Sequence, residues 1–103
     1  MDYDKYKALL TNQGAEIFCS KAYGLELMFV LDASDRIGAD NGIDDTFDLI
    51  LHNKPRRAAF SKFISTLESK KHLLKVPSDY KASKTVLRMS ADVAAAFEVF
   101  KKS

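Results

Sequence analysis

The stretch 54–90 constrains the fold most, because it joins an amphipathic helix to two short strands. In the helix predicted over 55–71, apolar side chains recur at three- and four-residue spacing, so one face can pack on a core. These residues are Ala59, Phe60, Phe63, Ile64 and Leu67. The opposite face carries Arg57, Ser61, Lys62, Ser65, Ser69 and Lys70. Cations and short hydroxyl groups on one face are what a helix needs to contact phosphates and base edges in a major groove.

The residues after this helix predict a β-hairpin. Positions 73–76 read as a strand, 77–80 are turn-formers, and 84–89 alternate in the manner of a returning strand. Lys81 and Lys84 then lie near the tip of the hairpin. The predicted fold is mainly α with a small β-hairpin wing (α+β), a winged helix-turn-helix.

The first half of the chain predicts helices that support this unit. One helix is expected over 2–18, weakened in its middle by Gly14, which is a candidate break. A second helix is expected after Ser20 and runs toward Ile37, with a strand as the alternative because the segment is apolar nearly all round. Positions 38–42 hold two glycines and two turn-formers and predict a loop.

A short helix should follow, with one extended residue at Ile43 and Asp44 as the N-cap. Its core-facing residues are predicted to be Phe47, Ile50 and Leu51. Pro55 suits the first position of the basic helix, so a very short turn would join the two helices in a helix-turn-helix.

Ser90 is the predicted cap of a last helix. A chain of 103 residues is expected to form one domain, divided into N-terminal helices (1–37), helix-turn-helix (43–72), wing (73–89) and C-terminal helix (90–103).

Charge divides the chain unevenly. Positions 1–53 hold 4 Lys or Arg against 10 Asp or Glu, a net charge of −6. Positions 54–88 hold 10 Lys or Arg against 2 Asp or Glu, a net charge of +8, and the remainder is balanced. Such asymmetry indicates a half that faces a polyanion, and the alternative is a solvated basic face without a partner.

Several kinds of protein are not expected. Cys19 is the only cysteine, which argues against a disulfide framework or a cysteine-based zinc site and fits a buried thiol in a reducing cytoplasm. No apolar run has membrane-spanning length, and the first residues lack the order of a signal peptide, so a cytoplasmic protein is expected. His52 and His72 do not have metal-site spacing, and no nucleophile motif or phosphate loop occurs. Neither a cofactor nor enzymatic activity is expected.

The run 56–90 resembles the DNA-binding half of MarR-like winged-helix transcription regulators. The shared features are a recognition helix ending in Leu67 and Glu68, a short basic tail, Asp79 and Lys81 in the wing, and Met89 with Ser90 before a C-terminal helix. The resemblance implies a regulator of transcription that binds double-stranded DNA through the basic helix (55–71) and the wing (75–88).

What the resemblance implies can be assigned to residues. The side chains expected nearest the bases are Arg57, Ser61, Lys62 and Ser65, with Arg57 as the first candidate for a base contact. Arg56, the helix N-terminus and the wing lysines are expected to contact phosphates. The predicted DNA-binding residues are Arg56, Arg57, Ser61, Lys62, Ser65, Lys70, Lys81, Lys84 and Arg88.

A homodimer is expected because one small domain reads few base pairs. Its predicted interface is Tyr3, Tyr6, Leu10, Val93, Phe97 and Phe100, with packing inside one subunit as the alternative. Two other functions stay open: a winged-helix module that docks on an acidic protein partner, and an accessory protein of DNA replication or partition.

Overall fold

The computed structural model describes residues 3–102, and these residues form six helices and one antiparallel pair of strands. The elements are α1 (Tyr3–Leu9), α2 (Gln13–Phe18), α3 (Gly24–Arg36), α4 (Ile43–Leu49), α5 (Arg57–Ser69), β1 (Leu73–Pro77), β2 (Thr85–Met89) and α6 (Ala91–Lys102). The predicted mainly helical α+β class with a β-hairpin is confirmed. Positions 2 and 103, which were placed in the terminal helices, lie outside the described residues.

The helix expected over 2–18 is broken, but the break lies between Leu9 and Gln13 and not at Gly14. Asn12 starts the new helix: its backbone is extended, and its Oδ1 accepts a hydrogen bond of 2.9 Å from the Ala15 N–H. An N-cap side chain satisfies an amide that has no partner inside the helix. Gly14, the candidate break, is instead buried inside α2, where an added Cβ would lie 2.4 Å from Cγ2 of Val93. The glycine therefore permits close approach of α6.

Helix α3 lies at the centre of the fold, and the strand alternative for this segment is wrong. It packs on α2, α4 and β2, and it buries Leu27, Met28 and Leu31. One hydrophobic core collects side chains from every element of the described chain. Its largest fully buried members are Phe18, Leu27, Met28, Leu31, Ile50, Phe60, Ile64, Leu67, Leu73, Leu87, Val93 and Phe97.

Helix α4 begins earlier than the sequence predicted. Gly42 is the N-cap in place of Asp44, and Ile43 is helical in place of extended. The carboxylate of Asp45 accepts the Gly42 N–H at 3.3 Å, and the hydroxyl of Thr46 donates to the Gly42 carbonyl at 2.7 Å. These two bonds close the first turn around Gly42.

The connection between α4 and α5 is longer than predicted. It spans positions 50–56 in place of the very short turn that was predicted, and Pro55 precedes the N-cap Arg56 instead of opening α5. The carboxylate of Glu26 on α3 holds this connection by accepting the N–H groups of Leu51 at 2.8 Å and His52 at 3.0 Å. Leu51 was predicted to face the core. Its backbone N–H is turned toward Glu26, but its side chain is 75% exposed.

The hairpin follows the predicted strands closely. Leu73 lies opposite Met89 and Pro77 lies opposite Thr85. The segment 39–42 runs along the free edge of β2, where the Leu87 N–H donates to the carbonyl of Asn41 at 3.1 Å. The β1–β2 hairpin therefore has an irregular third segment beside β2.

The terminal helices pack on each other within one chain: α6 contacts both α1 and α2. Val93, Phe97 and Phe100 of the predicted dimer interface are buried in this core, so packing inside one subunit accounts for them. Tyr6 and Leu10 are partly exposed and Tyr3 is exposed. None of the helices within 3–102 combines the length and the apolar character needed to cross a bilayer.

Candidate nucleic-acid interface

Helix α5 is anchored by one face and leaves the other open. Phe60, Phe63, Ile64 and Leu67 are buried, and the rings of Phe60 and Phe63 lie 6.0 and 5.8 Å from the ring of Tyr23. Ala59, predicted to lie in the core, is exposed, because it falls at the edge of the apolar face. The open face is a stripe at three- and four-residue spacing that we call the outward stripe: Ala58, Lys62, Ser65 and Ser69, all exposed.

Both ends of α5 carry exposed cations. Arg56 is the N-cap residue and Lys70 is the C-cap residue. Lys71 follows with a φ of 64°, which turns the chain into β1. Exposed positive charges therefore lie at both ends of α5.

Arg57, the predicted base contact, is directed to α4 and not to the outward stripe. Its guanidinium forms an ion pair with Asp44, lies 3.9 Å from an oxygen of Asp48, and stacks over the Phe47 ring at 4.6 Å from the centroid. The prediction missed this arrangement because Asp44 and Asp48 come from a different element. The Arg57 side chain is still 55% exposed, and exposed ion pairs are weak, so the arginine can exchange partners.

Lys84 and Arg88, also predicted to bind DNA, are engaged within the chain. Lys84 Nζ lies 2.8 Å from an oxygen of Asp45 and 3.7 Å from one of Asp40. Its hydrogen bond to Asp45 raises the pKa of Lys84, and it lowers the pKa of the Asp45 carboxyl together with the Gly42 N–H. Arg88, with its side chain 18% exposed, contacts Asp35 at 3.1 Å and the carbonyl of Ala39 at 3.1 Å. Both residues fasten the hairpin to the end of α3, the start of α4 and the segment between them.

The other predicted contacts are open to solvent or nearly so. Within residues 3–102, no carboxylate oxygen lies within 4.0 Å of a cationic nitrogen of Arg56, Lys62, Lys70 or Lys81. Ser65 is exposed, Ser61 is partly buried beside it, and Lys81 lies in the exposed tip of the hairpin. The structure thus brings together the outward stripe and the cations at its ends, whereas Lys84 and Arg88 are engaged by carboxylates of other elements.

One cation near α5 was not predicted. Lys21, in the turn between α2 and α3, lies beside the helix with its Nζ 5.6 Å from the centroid of the Phe63 ring. Sequence reasoning missed it because it belongs to the acidic half of the chain. No local pattern points to this residue, since only the packing of α2 on α5 places it there.

Other chemistry is sparse in the described part of the chain. No group of three His, Cys, Asp or Glu side chains within 3–102 could hold a metal ion. Cys19 is partly exposed, its Sγ lies 4.0 Å from Sδ of Met28, and burial raises the pKa of the thiol. A raised pKa keeps the thiol protonated and makes it a poor nucleophile.

No protein-family model matches the chain, and neither a curated protein nor a solved structure matches it significantly.

Proposed function

We propose that the protein is a winged helix-turn-helix protein that binds double-stranded DNA, with α5 as the recognition helix and the β1–β2 hairpin as the wing. The observation that carries the proposal is the outward stripe of α5, which is exposed, holds no carboxylate and is framed by Arg56 and Lys70. The hairpin that follows α5 and the segment 39–42 beside β2 support the winged-helix interpretation.

The size and shape of α5 suit a major groove. A helix of 13 residues is about 20 Å long and about 10–12 Å across with its side chains, and the major groove is about 12 Å wide. The small side chains of Ala58, Ser65 and Ser69 let the helix backbone come close to the base edges. Lys62 lies at the middle of the stripe and can reach a guanine edge or a phosphate.

This arrangement changes the assignment of base contacts. Lys62 and Ser65 remain among the residues proposed to contact bases, because they lie on the outward stripe. Arg57 is no longer the first candidate, because it points to α4 and pairs with Asp44. Arg56, Lys70 and Lys81 are proposed to contact phosphates, which adds affinity and salt dependence without sequence preference. Cytoplasmic transcriptional regulation by a homodimer is the role we propose for such a protein, since paired helices read a longer site than one helix does.

Removing two of the open cations should weaken DNA binding strongly. In fluorescence anisotropy on a mixed-sequence duplex, we expect Arg56→Gln/Lys62→Gln to bind at least tenfold more weakly than the unmodified protein at low salt. The slope of log K against log salt should fall by about 0.9 for each lost phosphate contact. Circular dichroism checks that both proteins are folded.

The matched control is Lys5→Gln/Lys7→Gln, which removes the same two positive charges from a different helix. Both lysines lie on α1, which packs on α6. We expect this control to retain most of the affinity. Absence of binding by the folded unmodified protein at low salt would contradict the DNA proposal and direct the search to an acidic protein partner. Equal weakening by both double variants would contradict the assignment of α5.

The acidic residues of α4 should oppose DNA binding. Asp44→Asn and Asp48→Asn each remove a carboxylate beside the flank of α5 and release Arg57 to a phosphate. We expect each variant to bind DNA about two- to fivefold more tightly, with a steeper salt dependence. The control Asp4→Asn makes the same charge change on α1 and should leave the affinity nearly unchanged. Weaker binding by the Asp44 and Asp48 variants would show that these carboxylates position Arg57 for DNA and do not compete with it.

A further inference from the structure

A groove of about 380 Å³ lies between α5 and the turn that joins α2 to α3. It runs along the flank of α5 that faces away from α4. The residues that line it are Ile17, Ser20, Lys21, Ala59, Lys62, Phe63 and Thr66.

The groove has an apolar floor with cations at its rim. Lys21 is held over the ring of Phe63, and the exposed Lys62 projects from α5 on the same groove. No carboxylate oxygen within residues 3–102 comes within 4.0 Å of either ammonium group. The hydroxyls of Ser20 and Thr66 already donate to the carbonyls of Ile17 at 2.6 Å and Lys62 at 3.1 Å. The two lysines are therefore the groups left to bind an anion.

The two flanks of α5 differ in charge. On the flank toward α4, the carboxylates of Asp44 and Asp48 are balanced by Arg57 and Lys54, which both lie over the Phe47 ring. The opposite flank carries Lys21 and Lys62, and neither has a carboxylate partner among the described residues. A helix that fills the major groove brings each flank next to one of the two phosphate backbones. Charge complementarity favours a close phosphate contact on the flank with Lys21 and Lys62.

We infer that this groove binds the phosphodiester backbone of one DNA strand, with Lys21 as its phosphate contact. The inference rests on the proposed function and extends it to a residue from the acidic half of the chain. A phosphate contact at Lys21 would fix the register of α5 in the major groove, and it would carry no sequence information of its own.

The first test is Lys21→Gln, measured by anisotropy at about 50 and 200 mM salt, beside Lys5→Gln as the matched control. We expect Lys21→Gln to bind about three- to tenfold more weakly at the lower salt, with a salt slope smaller by about 0.9. The order of preference among different duplexes should not change, and Lys21→Arg should restore binding, because it keeps the positive charge.

The second test places a negative charge in the groove without removing a lysine. Ala59 is exposed at the groove wall, so Ala59→Glu should fold normally and weaken binding about tenfold or more, whereas Ala95→Glu on an exposed position of α6 should not. If Lys21→Gln and Ala59→Glu bind DNA as the unmodified protein does while Arg56→Gln/Lys62→Gln does not, the groove assignment is overturned and the proposed function stands. If the folded unmodified protein fails to bind DNA, both are overturned.

Discussion

Replacing Phe97 by alanine is expected to lower the free energy of unfolding by about 3–5 kcal/mol. Phe97 is fully buried, and its ring lies 4.9 Å from the ring of Phe29 on α3 and 5.8 Å from that of Phe100 on α6. Truncation removes these contacts and leaves a cavity between two helices, which the surrounding side chains can fill only in part. A small domain is stable by about 5–15 kcal/mol, so much of its stability would be lost.

Urea denaturation of the Phe97→Ala protein at two protein concentrations measures this loss and tests where Phe97 acts. If Phe97 packs inside one subunit, the change in the free energy of unfolding should be the same at both concentrations. A residue at a subunit interface would give a folded variant whose main defect is in dimerisation. The control Val99→Ala, on the same helix at a position 69% exposed, should change the stability by less than about 0.5 kcal/mol. Stability of Phe97→Ala within about 1 kcal/mol of the unmodified protein would contradict the core described for α3 and α6.

Replacing Gly24 by alanine is expected to destabilise the protein by about 3 kcal/mol or more, although Ala favours helices over Gly by about 1 kcal/mol. Gly24 is the first residue of α3, and a Cβ built there would lie 1.7 Å from the carbonyl oxygen of Phe18. Because the obstacle is backbone, no side-chain rotation can relieve it. The end of α2 and the start of α3 would have to separate, which would disturb the buried side chain of Phe18.

The free energies of unfolding of Gly24→Ala and Gly38→Ala, measured by heat and urea, are to be compared. The difference between them separates the clash with Phe18 from the general cost of replacing a glycine. Gly38 has a φ of 66°, but a Cβ added there would meet nothing within 4 Å, so Gly38→Ala should lose only about 1 kcal/mol, from backbone strain. A Gly24→Ala protein as stable as the unmodified one would contradict the close approach of α2 and α3.

Local patterns in the sequence were enough to predict α5, the hairpin and α6. Each of these elements has a clear apolar period, and the residues that bound them are turn-formers or caps, so the information lies within a few neighbouring positions. The core face of α5 was predicted correctly at Phe60, Phe63, Ile64 and Leu67. DNA binding and homodimerisation remain proposals, because they concern partners and not the fold of the chain.

Errors arose at helix ends, where a side chain accepts backbone N–H groups in a way that hydrophobic periodicity does not reveal. The connection before α5 was predicted too short because the carboxylate of Glu26, which holds the amides of Leu51 and His52, lies on α3. The break in the first helix was assigned to Gly14 because glycine is a poor helix former wherever it stands in a sequence. The capping hydrogen bond of Asn12 was missed because it forms only where one helix ends and the next begins.

The sequence by itself determined the mainly helical α+β class, the apolar face of α5 and the concentration of positive charge in positions 54–88. Only the tertiary structure decided which of those charges are paired with carboxylates and which are not. It pairs Arg57, Lys84 and Arg88 with carboxylates of the acidic half, and it places Lys21 of that same half beside α5. The physical reason is that an ion pair depends on distances of a few ångströms between side chains, and those distances are set by packing of elements far apart in the chain.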